Sequence, residues 1–238
     1  MRKLAFVNGG IYHIYNRGVE KLPVFHDSHD CFRFLYGLYE FNDKNPAENI
    51  YFKEPSLKSY EAEPRRELIL KDREQVVHIY AYCLIDNHFH LMARQIEEGG
   101  IVKFMHKLGT GYTGFSNKKY ERSGHLFQGR FKAVSIEKES QLLYLPYYIH
   151  ANTLDMYMPG WREDGVANLN KAMQILENYE YSSYSEYACE QGNYRNPILE
   201  KDFLSGVLGS PEQYKKDMMK WLKEKNRFEK LGGVTIES

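Results

Sequence analysis

The sequence feature that most constrains the fold is a pair of apolar segments, residues 76–85 and 88–94, separated only by Asp86-Asn87. The first segment is rich in β-branched and aromatic residues, which favour strands. Asp and Asn tolerate the backbone conformations of a tight turn. The sequence therefore predicts a β-hairpin, and the first segment is long enough to be a central strand of a sheet.

The second strand of this hairpin carries two histidines, His88 and His90. Successive side chains of a strand point to opposite faces, so the two imidazoles share one face, whereas Phe89 and Leu91 point to the other. Two imidazoles two residues apart on a rigid strand can bind one divalent cation from the same side. The alternative interpretation is a pair of ordinary histidines, and an isolated His-x-His motif favours that alternative.

Further elements follow from hydrophobic periodicity and capping residues. In the first predicted strand, His13, Tyr15 and Arg17 share one face. Asp27 or Ser28 can cap the first helix. The predicted elements are strands over 11–18 and 125–137, helices over 29–41, 102–120 and 139–153, and short helices between 168 and 225, including 199–208 and 211–225. The proline-containing, highly charged segment 42–72 is interpreted as a long loop or insertion.

The helix predicted over 102–120 has an apolar stripe that we expect to face the sheet and its histidines. Tyr112 lies in this stripe, and the simplest interpretation is a core aromatic. Three glycines, Gly109, Gly111 and Gly114, surround it, and each costs about 1 kcal/mol of helix propensity relative to alanine. Such glycines are explained if a ligand or another backbone approaches closely, which favours a functional role for Tyr112.

The formal net charge of the chain is +0, so there is no global electrostatic signal for nucleic acid. Cations are instead concentrated locally, between residues 101 and 132, against one acid, Glu121. Such an imbalance suits a phosphate backbone. The basic residues of this stretch are Lys103, Lys107, Lys118, Lys119, Arg122, Arg130 and Lys132.

Three widely spaced cysteines, Cys31, Cys83 and Cys189, form no paired metal motif and fit a reducing cytoplasm. The N-terminal apolar run is too short for a signal peptide, and no segment approaches the length of a membrane span. We therefore expect a cytoplasmic protein.

Taken together and in order, several stretches resemble the HUH single-tyrosine transposases, and among them the REP-associated tyrosine transposases. His-x-His alone is a weak signal, but the ordered set is specific and extends over about residues 11–190. The matching stretches are residues 12–18, 88–92, 108–117, 122–132, 147–152 and 181–184.

The resemblance implies an α+β fold, with a ferredoxin-like antiparallel sheet and a helical C-terminal extension. The Pro159-Gly160 pair marks a boundary between a catalytic domain, residues 1–158 with an insertion at about 42–75, and an extension, residues 159–238. The resemblance also implies a metal-dependent endonuclease and strand transferase that nicks single-stranded DNA near hairpins through a covalent 5′-phosphotyrosine. The implied partners are hairpin or single-stranded DNA and a second copy of the chain in a homodimer.

Carried over by position, the resemblance makes His88 and His90 ligands of Mg²⁺ or Mn²⁺ and Tyr112 the nucleophile. In the family a glutamine four residues after the tyrosine completes the metal site, but here that position is Ser116, followed by Asn117. Ser116 is better placed and Asn117 is chemically the better ligand, so both remain candidates. Arg17 and Arg94 join the seven basic residues above as candidate DNA contacts.

Three other functions are compatible with the sequence. A replication initiator or relaxase would use the same site, although the compact order of motifs favours a transposase. A hairpin-binding repressor without catalysis is consistent with the missing glutamine, but the presence of both histidines and Tyr112 argues against it. A zinc hydrolase is less consistent, because no glutamate accompanies the histidines in a protease-like pattern.

Overall fold

The computed structural model describes residues 4–47, 73–190 and 196–232, with side chains as far as residue 224. Strands and helices follow one another in the order β1, α1, β2, β3, α2, β4, α3. Their bounds are Ile11–Arg17, Ser28–Glu40, Val77–Ile85, His88–Gln95, Gly100–Lys119, Lys132–Ile136 and Glu139–Ala151. The hairpin between β2 and β3 has the predicted two-residue turn.

The described strands form one sheet in the order β2-β3-β1-β4. All neighbouring pairs are antiparallel. One helix connects β1 to β2 and another connects β3 to β4. This strand order with these connections is the ferredoxin-like arrangement, so the predicted fold class is confirmed.

The two faces of the sheet are covered by different helices. α1 and α2 cover the face that carries Phe89, because Phe34 of α1 lies 4.8 Å from the Phe89 ring and 5.1 Å from the ring of Tyr112 on α2. α3 covers the opposite face, where Tyr148 packs against His90. We call these the α1/α2 face and the α3 face.

Asp27 caps the N-terminus of α1, since its side chain accepts a hydrogen bond from the Asp30 amide. The strand predicted over 125–137 is wrong in its first half, because β4 begins only at Lys132. The preceding residues wrap around the end of β1 instead: the Val19 amide donates to the Leu126 carbonyl, and the Gln128 amide donates to the Arg17 carbonyl.

After α3 the chain continues through short helices and one long one. They are α4 Leu154–Tyr157, α5 Trp161–Asp164, α6 Leu169–Asn178, α7 Tyr184–Ala188, α8 Lys201–Leu208 and α9 Pro211–Gly232. This extension pairs with the outer edge of β2, where the Leu84 amide donates to Tyr181 and the Ser183 amide donates to Tyr82. The domain boundary at residue 158 stays a prediction.

A buried histidine joins the extension to α3. His150 Nδ1 lies 2.5 Å from the Tyr214 hydroxyl on α9, and its Nε2 lies 2.8 Å from Ser183 Oγ. Burial lowers the pKa of His150 to about 3. The extension is therefore held to α3 by a neutral hydrogen-bonded network as well as by apolar packing.

Most of the predicted insertion, residues 48–72, lies outside the described residues. All three cysteines are free thiols, Cys31 and Cys83 buried and Cys189 partly exposed. Among the helices in the described ranges, we find none with the length and hydropathy to cross a membrane.

Candidate active site

His88 and His90 lie side by side on β3, as predicted. Their ring centroids are 4.9 Å apart. His88 is 7% exposed and His90 is fully buried. In the sheet register, His88 is opposite Arg17 and His90 is opposite Tyr15 on β1, so the face predicted for β1 meets the face predicted for β3.

The electrostatic environment keeps both imidazoles neutral. Burial, aided by the Arg17 charge, lowers the pKa of His88 to about 3. Burial also lowers the pKa of His90 well below its usual value, and the neighbouring His88 and His13 add to the effect. A neutral imidazole has a lone pair for a metal ion, whereas a protonated one has none.

Hydrogen bonds orient both rings. Asn87 Nδ2 donates to the Lys21 carbonyl, which leaves Asn87 Oδ1 facing His88 Nδ1 at 2.6 Å. Because this oxygen only accepts, His88 Nδ1 carries the hydrogen and Nε2 keeps its lone pair. His90 Nδ1 lies 2.9 Å from His13 Nε2.

Tyr112 does not lie near the histidines. It is on the α1/α2 face, and its hydroxyl donates to the Val24 carbonyl at 2.6 Å. The surrounding rings include Phe25 and Phe34. Burial, followed by the charge of Asp30, raises the pKa of Tyr112, which disfavours the phenolate. The predicted placement of Tyr112 beside the histidines is therefore wrong.

The two candidates for the third ligand of the metal site also lie on the face of the sheet opposite the histidines. Ser116 and Asn117 belong to α2, which packs on the α1/α2 face. Asn117 Nδ2 donates to the Gly124 carbonyl in the following loop. Gly111, expected to admit a ligand, is instead packed against Phe41: a Cβ there would lie 2.3 Å from the ring.

Tyr148 occupies the position expected for Tyr112. It lies on α3, and its ring packs edge-on against His90 at 5.7 Å and against His13 at 5.8 Å, centroid to centroid. The residue is partly exposed, unlike Tyr112, which is buried.

Asn152 follows Tyr148 by four residues and ends α3 in helical conformation. It therefore lies one turn beyond Tyr148 on the same helix face. Its Nδ2 donates to the Tyr148 carbonyl at 2.7 Å, and its Oδ1 accepts from Arg162 at 2.8 Å. These contacts fix which end of the amide is the oxygen.

Arg162, from α5, connects this helix to a carboxylate. Its Nε and one terminal nitrogen donate to the two oxygens of Asp155 at 2.8 and 2.9 Å. Its guanidinium carbon lies 5.4 Å from the centroid of the Tyr148 ring. The Asp155 charge raises the pKa of His88 and the Arg162 charge lowers it, both by less than burial does.

The sequence analysis missed Tyr148, Asn152 and Arg162. A signal for the first two was present: the stretch 147–152 places an amide four residues after a tyrosine, the spacing that Tyr112 lacks. Arg162 has no comparable signal, because its place depends on how the extension folds back.

The predicted basic residues divide into two groups. Several of those on α2 are already engaged: Lys103 pairs with Glu97, and Lys119 pairs with Asp27 and Asp30. Lys107 donates to the carbonyls of residues 43 and 45. Lys118, on the same helix, is exposed.

The other basic residues lie on β1, β3 and β4 or in the loop before β4. Arg17 is opposite His88, and Lys132 is opposite Tyr15. Arg122 and Arg130 belong to the loop that wraps around the end of β1. Arg94 lies towards the other end of β3, where it contacts Tyr80.

A second group of potential metal ligands, Asp27, His29 and Asp30, lies at the start of α1. Lys119 Nζ contacts Asp27 at 2.7 Å and Asp30 at 2.8 Å, and Tyr120 donates to Asp30. An ammonium group already compensates these carboxylates, so this cluster is a poorer metal site than the neutral histidine pair.

Residues 61–152 match the family described as "Transposase IS200 like". This range includes both histidines, Tyr112, Tyr148 and Asn152. The predicted resemblance to a transposase family is thereby confirmed over about two fifths of the chain, and the match supports a transposase-type, DNA-processing function.

Among solved structures, the chain is similar to one titled "Structure of the REP associates tyrosine transposase bound to a REP hairpin". The identity is 12%, the TM-score is 0.48, and the match covers 85% of this chain and 92% of that one. No curated protein sequence matches.

Proposed function

We propose that this protein nicks and rejoins single-stranded DNA next to hairpins, with Tyr148 as the nucleophile. The observation that carries the proposal is the contact of the Tyr148 ring with His90, on the face that also carries His88. Tyr112, by contrast, is separated from the histidines by the sheet.

The residues present fit a divalent metal ion. The candidate ligand atoms are two imidazole nitrogens, from His88 and His90, and one amide oxygen, from Asn152. Hydrogen bonds orient all three groups. A bound Mg²⁺ or Mn²⁺ would act as a Lewis acid on a nonbridging phosphate oxygen.

The reaction is a transesterification. The Tyr148 oxygen attacks phosphorus, an O–P bond to tyrosine forms, and the bond from phosphorus to the 3′ oxygen breaks. The departing oxygen takes up a proton, the phenol loses one, and a 5′-phosphotyrosine results. A second 3′-hydroxyl reverses the step and produces strand transfer. The Arg162 guanidinium carbon lies 5.4 Å from the centroid of the Tyr148 ring, so a cationic group is present beside the attacking residue.

DNA would approach along the rim of the α3 face. Arg17 and Lys132 lie on this face of the sheet, and the loop that carries Arg122 and Arg130 lies at its end. Aromatic rings such as Tyr15 could stack on unpaired bases. Because cations contact the phosphate backbone, binding should weaken as salt concentration rises.

The test is the covalent adduct. A labelled DNA hairpin with single-stranded flanks is incubated with Mg²⁺ or Mn²⁺, the protein is denatured, and the label is located by peptide mapping. Wild type and Tyr112→Phe should carry the label at Tyr148, whereas Tyr148→Phe should carry none. Tyr147→Phe, which changes the adjacent residue, is the matched control and should retain the adduct.

Two results would contradict the proposal. An adduct that persists in Tyr148→Phe places the nucleophile elsewhere. Tight binding of hairpins without an adduct under any metal condition favours a noncatalytic hairpin-binding protein.

The homodimer stays a prediction. The outer edge of β2 is covered by the extension, whereas β4 forms the other edge of the sheet. An antiparallel contact through β4 is therefore the form of dimer that we propose, and light scattering of the purified protein measures its mass.

A further inference from the structure

His13 is a buried histidine to which the proposed reaction assigns no role. It lies on β1, is fully buried, and points to the α3 face. Its Nε2 lies 2.9 Å from His90 Nδ1, and the two rings are nearly parallel, with an interplanar angle of 14°. A hydrogen bond therefore joins two imidazoles, and one nitrogen must donate while the other accepts.

The direction of this hydrogen bond decides which nitrogen of His90 can bind a metal. If Nδ1 of neutral His90 carries the hydrogen, it donates to His13, and the lone pair lies on Nε2. If His13 donates instead, the lone pair of His90 is directed at His13, and Nε2 carries a hydrogen that prevents metal binding.

We propose that His13 is a positioning residue for the metal site: it accepts the hydrogen bond from His90 Nδ1 and so presents the lone pair of His90 Nε2 to the metal. This inference rests on the proposed function, because it assumes that His90 is a metal ligand. Partners of this kind fix the tautomer and orientation of ligand histidines, and losing one typically weakens metal affinity 10–100-fold.

The surroundings of His13 hold its ring in place. It stacks on Tyr15 at 4.9 Å and packs against the edge of Tyr148. In the register of β1 with β3, His13 is opposite Met92, and Tyr15 is opposite His90. His13 and His90 are thus diagonal neighbours on one face, a distance that two imidazoles can span.

Different parts of the chain orient the two histidines proposed as metal ligands. His88 donates to Asn87, its neighbour in the turn, so its orientation is set locally within the hairpin. His90 depends on a residue 77 positions away in sequence. Assembly of the metal site therefore requires β1 to be paired with β3.

Three substitutions separate the hydrogen bond from packing. His13→Phe keeps an aromatic ring between Tyr15 and Tyr148 but removes the acceptor. His13→Gln offers an amide oxygen near the place of Nε2. His13→Ala removes both. Mn²⁺ binding is measured without DNA by electron paramagnetic resonance and calorimetry, and thermal unfolding checks that each variant is folded.

We expect His13→Phe and His13→Ala to bind Mn²⁺ about 10–100-fold more weakly than wild type. His13→Gln should recover most of the affinity. The tautomer is read in the metal-free protein from ¹⁵N chemical shifts of the histidine rings, in which His90 should carry its hydrogen on Nδ1 in wild type.

The outcomes are distinguishable. A folded His13→Phe variant with wild-type Mn²⁺ affinity overturns the inference, as does a wild-type His90 with the hydrogen on Nε2. If wild type binds no Mn²⁺, the metal assignment of the proposed function fails, and the metal-binding role inferred for His13 fails with it. The adduct at Tyr148 is measured separately. If wild type binds Mn²⁺ but forms no adduct at Tyr148, the proposed function is contradicted and the role of His13 at the metal site is not.

Discussion

The two faces of the sheet each pack against a helix that carries a tyrosine, and the surroundings of the two tyrosines are opposite. Tyr112, on the α1/α2 face, is 2% exposed, surrounded by phenylalanines, and its hydroxyl is bound to the Val24 carbonyl. Tyr148, on the α3 face, contacts two histidines and a guanidinium. The same residue type is thus packed in an apolar core on one face and lies beside the histidines on the other.

The difference follows from what each helix packs against. The α1/α2 face presents the residues of β3 that alternate with the histidines, Phe89 and Leu91, and a phenol there must find a backbone acceptor because burial without one is costly. The α3 face presents the polar residues of β1 and β3, so a tyrosine there meets imidazoles.

The largest expected effect is on stability. Tyr112→Ala removes a fully packed aromatic ring and should lower the free energy of unfolding by about 3–5 kcal/mol. Tyr148→Ala, at a partly exposed position, should lower it by about 1 kcal/mol. Denaturant unfolding monitored by circular dichroism compares the two variants. Equal losses would contradict the division into a structural and a chemical tyrosine.

Sequence analysis located the strands and helices well because their patterns are local. The strand alternation predicted around His88 and His90 is confirmed, and so is the buried apolar stripe that includes Tyr112. A stripe shows which side of a helix is buried, but it does not show which face of the sheet the helix covers. That choice depends on the order of strands and connections.

The candidate site was therefore predicted only in part. Both histidines lie on β3, so their shared face follows from the alternation of side chains along one strand. Tyr148 and His13 reach the pair only through the packing of α3 and the pairing of β1 with β3, which involve contacts distant in sequence. Arg162 comes from beyond the matched residues 61–152 and depends on the fold of the extension.

The α3 face should also respond to pH more strongly than the α1/α2 face, because buried neutral histidines lie behind it. The pKa of His150 is about 3 in the folded protein, against about 6.5 when unfolded. The unfolded state therefore binds the proton more readily between these values. Stability from this group is fully present above pH 6.5 and is lost as pH falls towards 3.

For His150 alone, lowering the pH from 7 to 5 should cost about 2 kcal/mol. The free energy of unfolding is measured by urea titration at both pH values. His150→Gln should be less stable at pH 7 but should lose less stability on acidification. An unchanged pH dependence in His150→Gln would contradict the role assigned to this histidine.

The smallest expected effects come from two glycines of α2, which test whether this helix is a packed or a ligand-binding surface. A Cβ at Gly111 would lie 2.3 Å from the buried Phe41 ring, whereas a Cβ at Gly109 meets no atom within 4 Å. Gly111→Ala should therefore lower the free energy of unfolding by roughly 1–2 kcal/mol, as overpacking does. Gly109→Ala should raise it by about 0.5–1 kcal/mol, because alanine favours the helix.

Neither glycine substitution should change adduct formation per folded molecule, since both positions belong to α2, across the sheet from Tyr148. Urea unfolding and the labelled-hairpin assay, run on the same preparations, measure stability and chemistry together. A stable Gly109→Ala variant that no longer forms the adduct would show that α2 takes part in the reaction. The contrast between the two faces would then need revision, whereas opposite stability changes with equal adduct yields would support α2 as a structural helix.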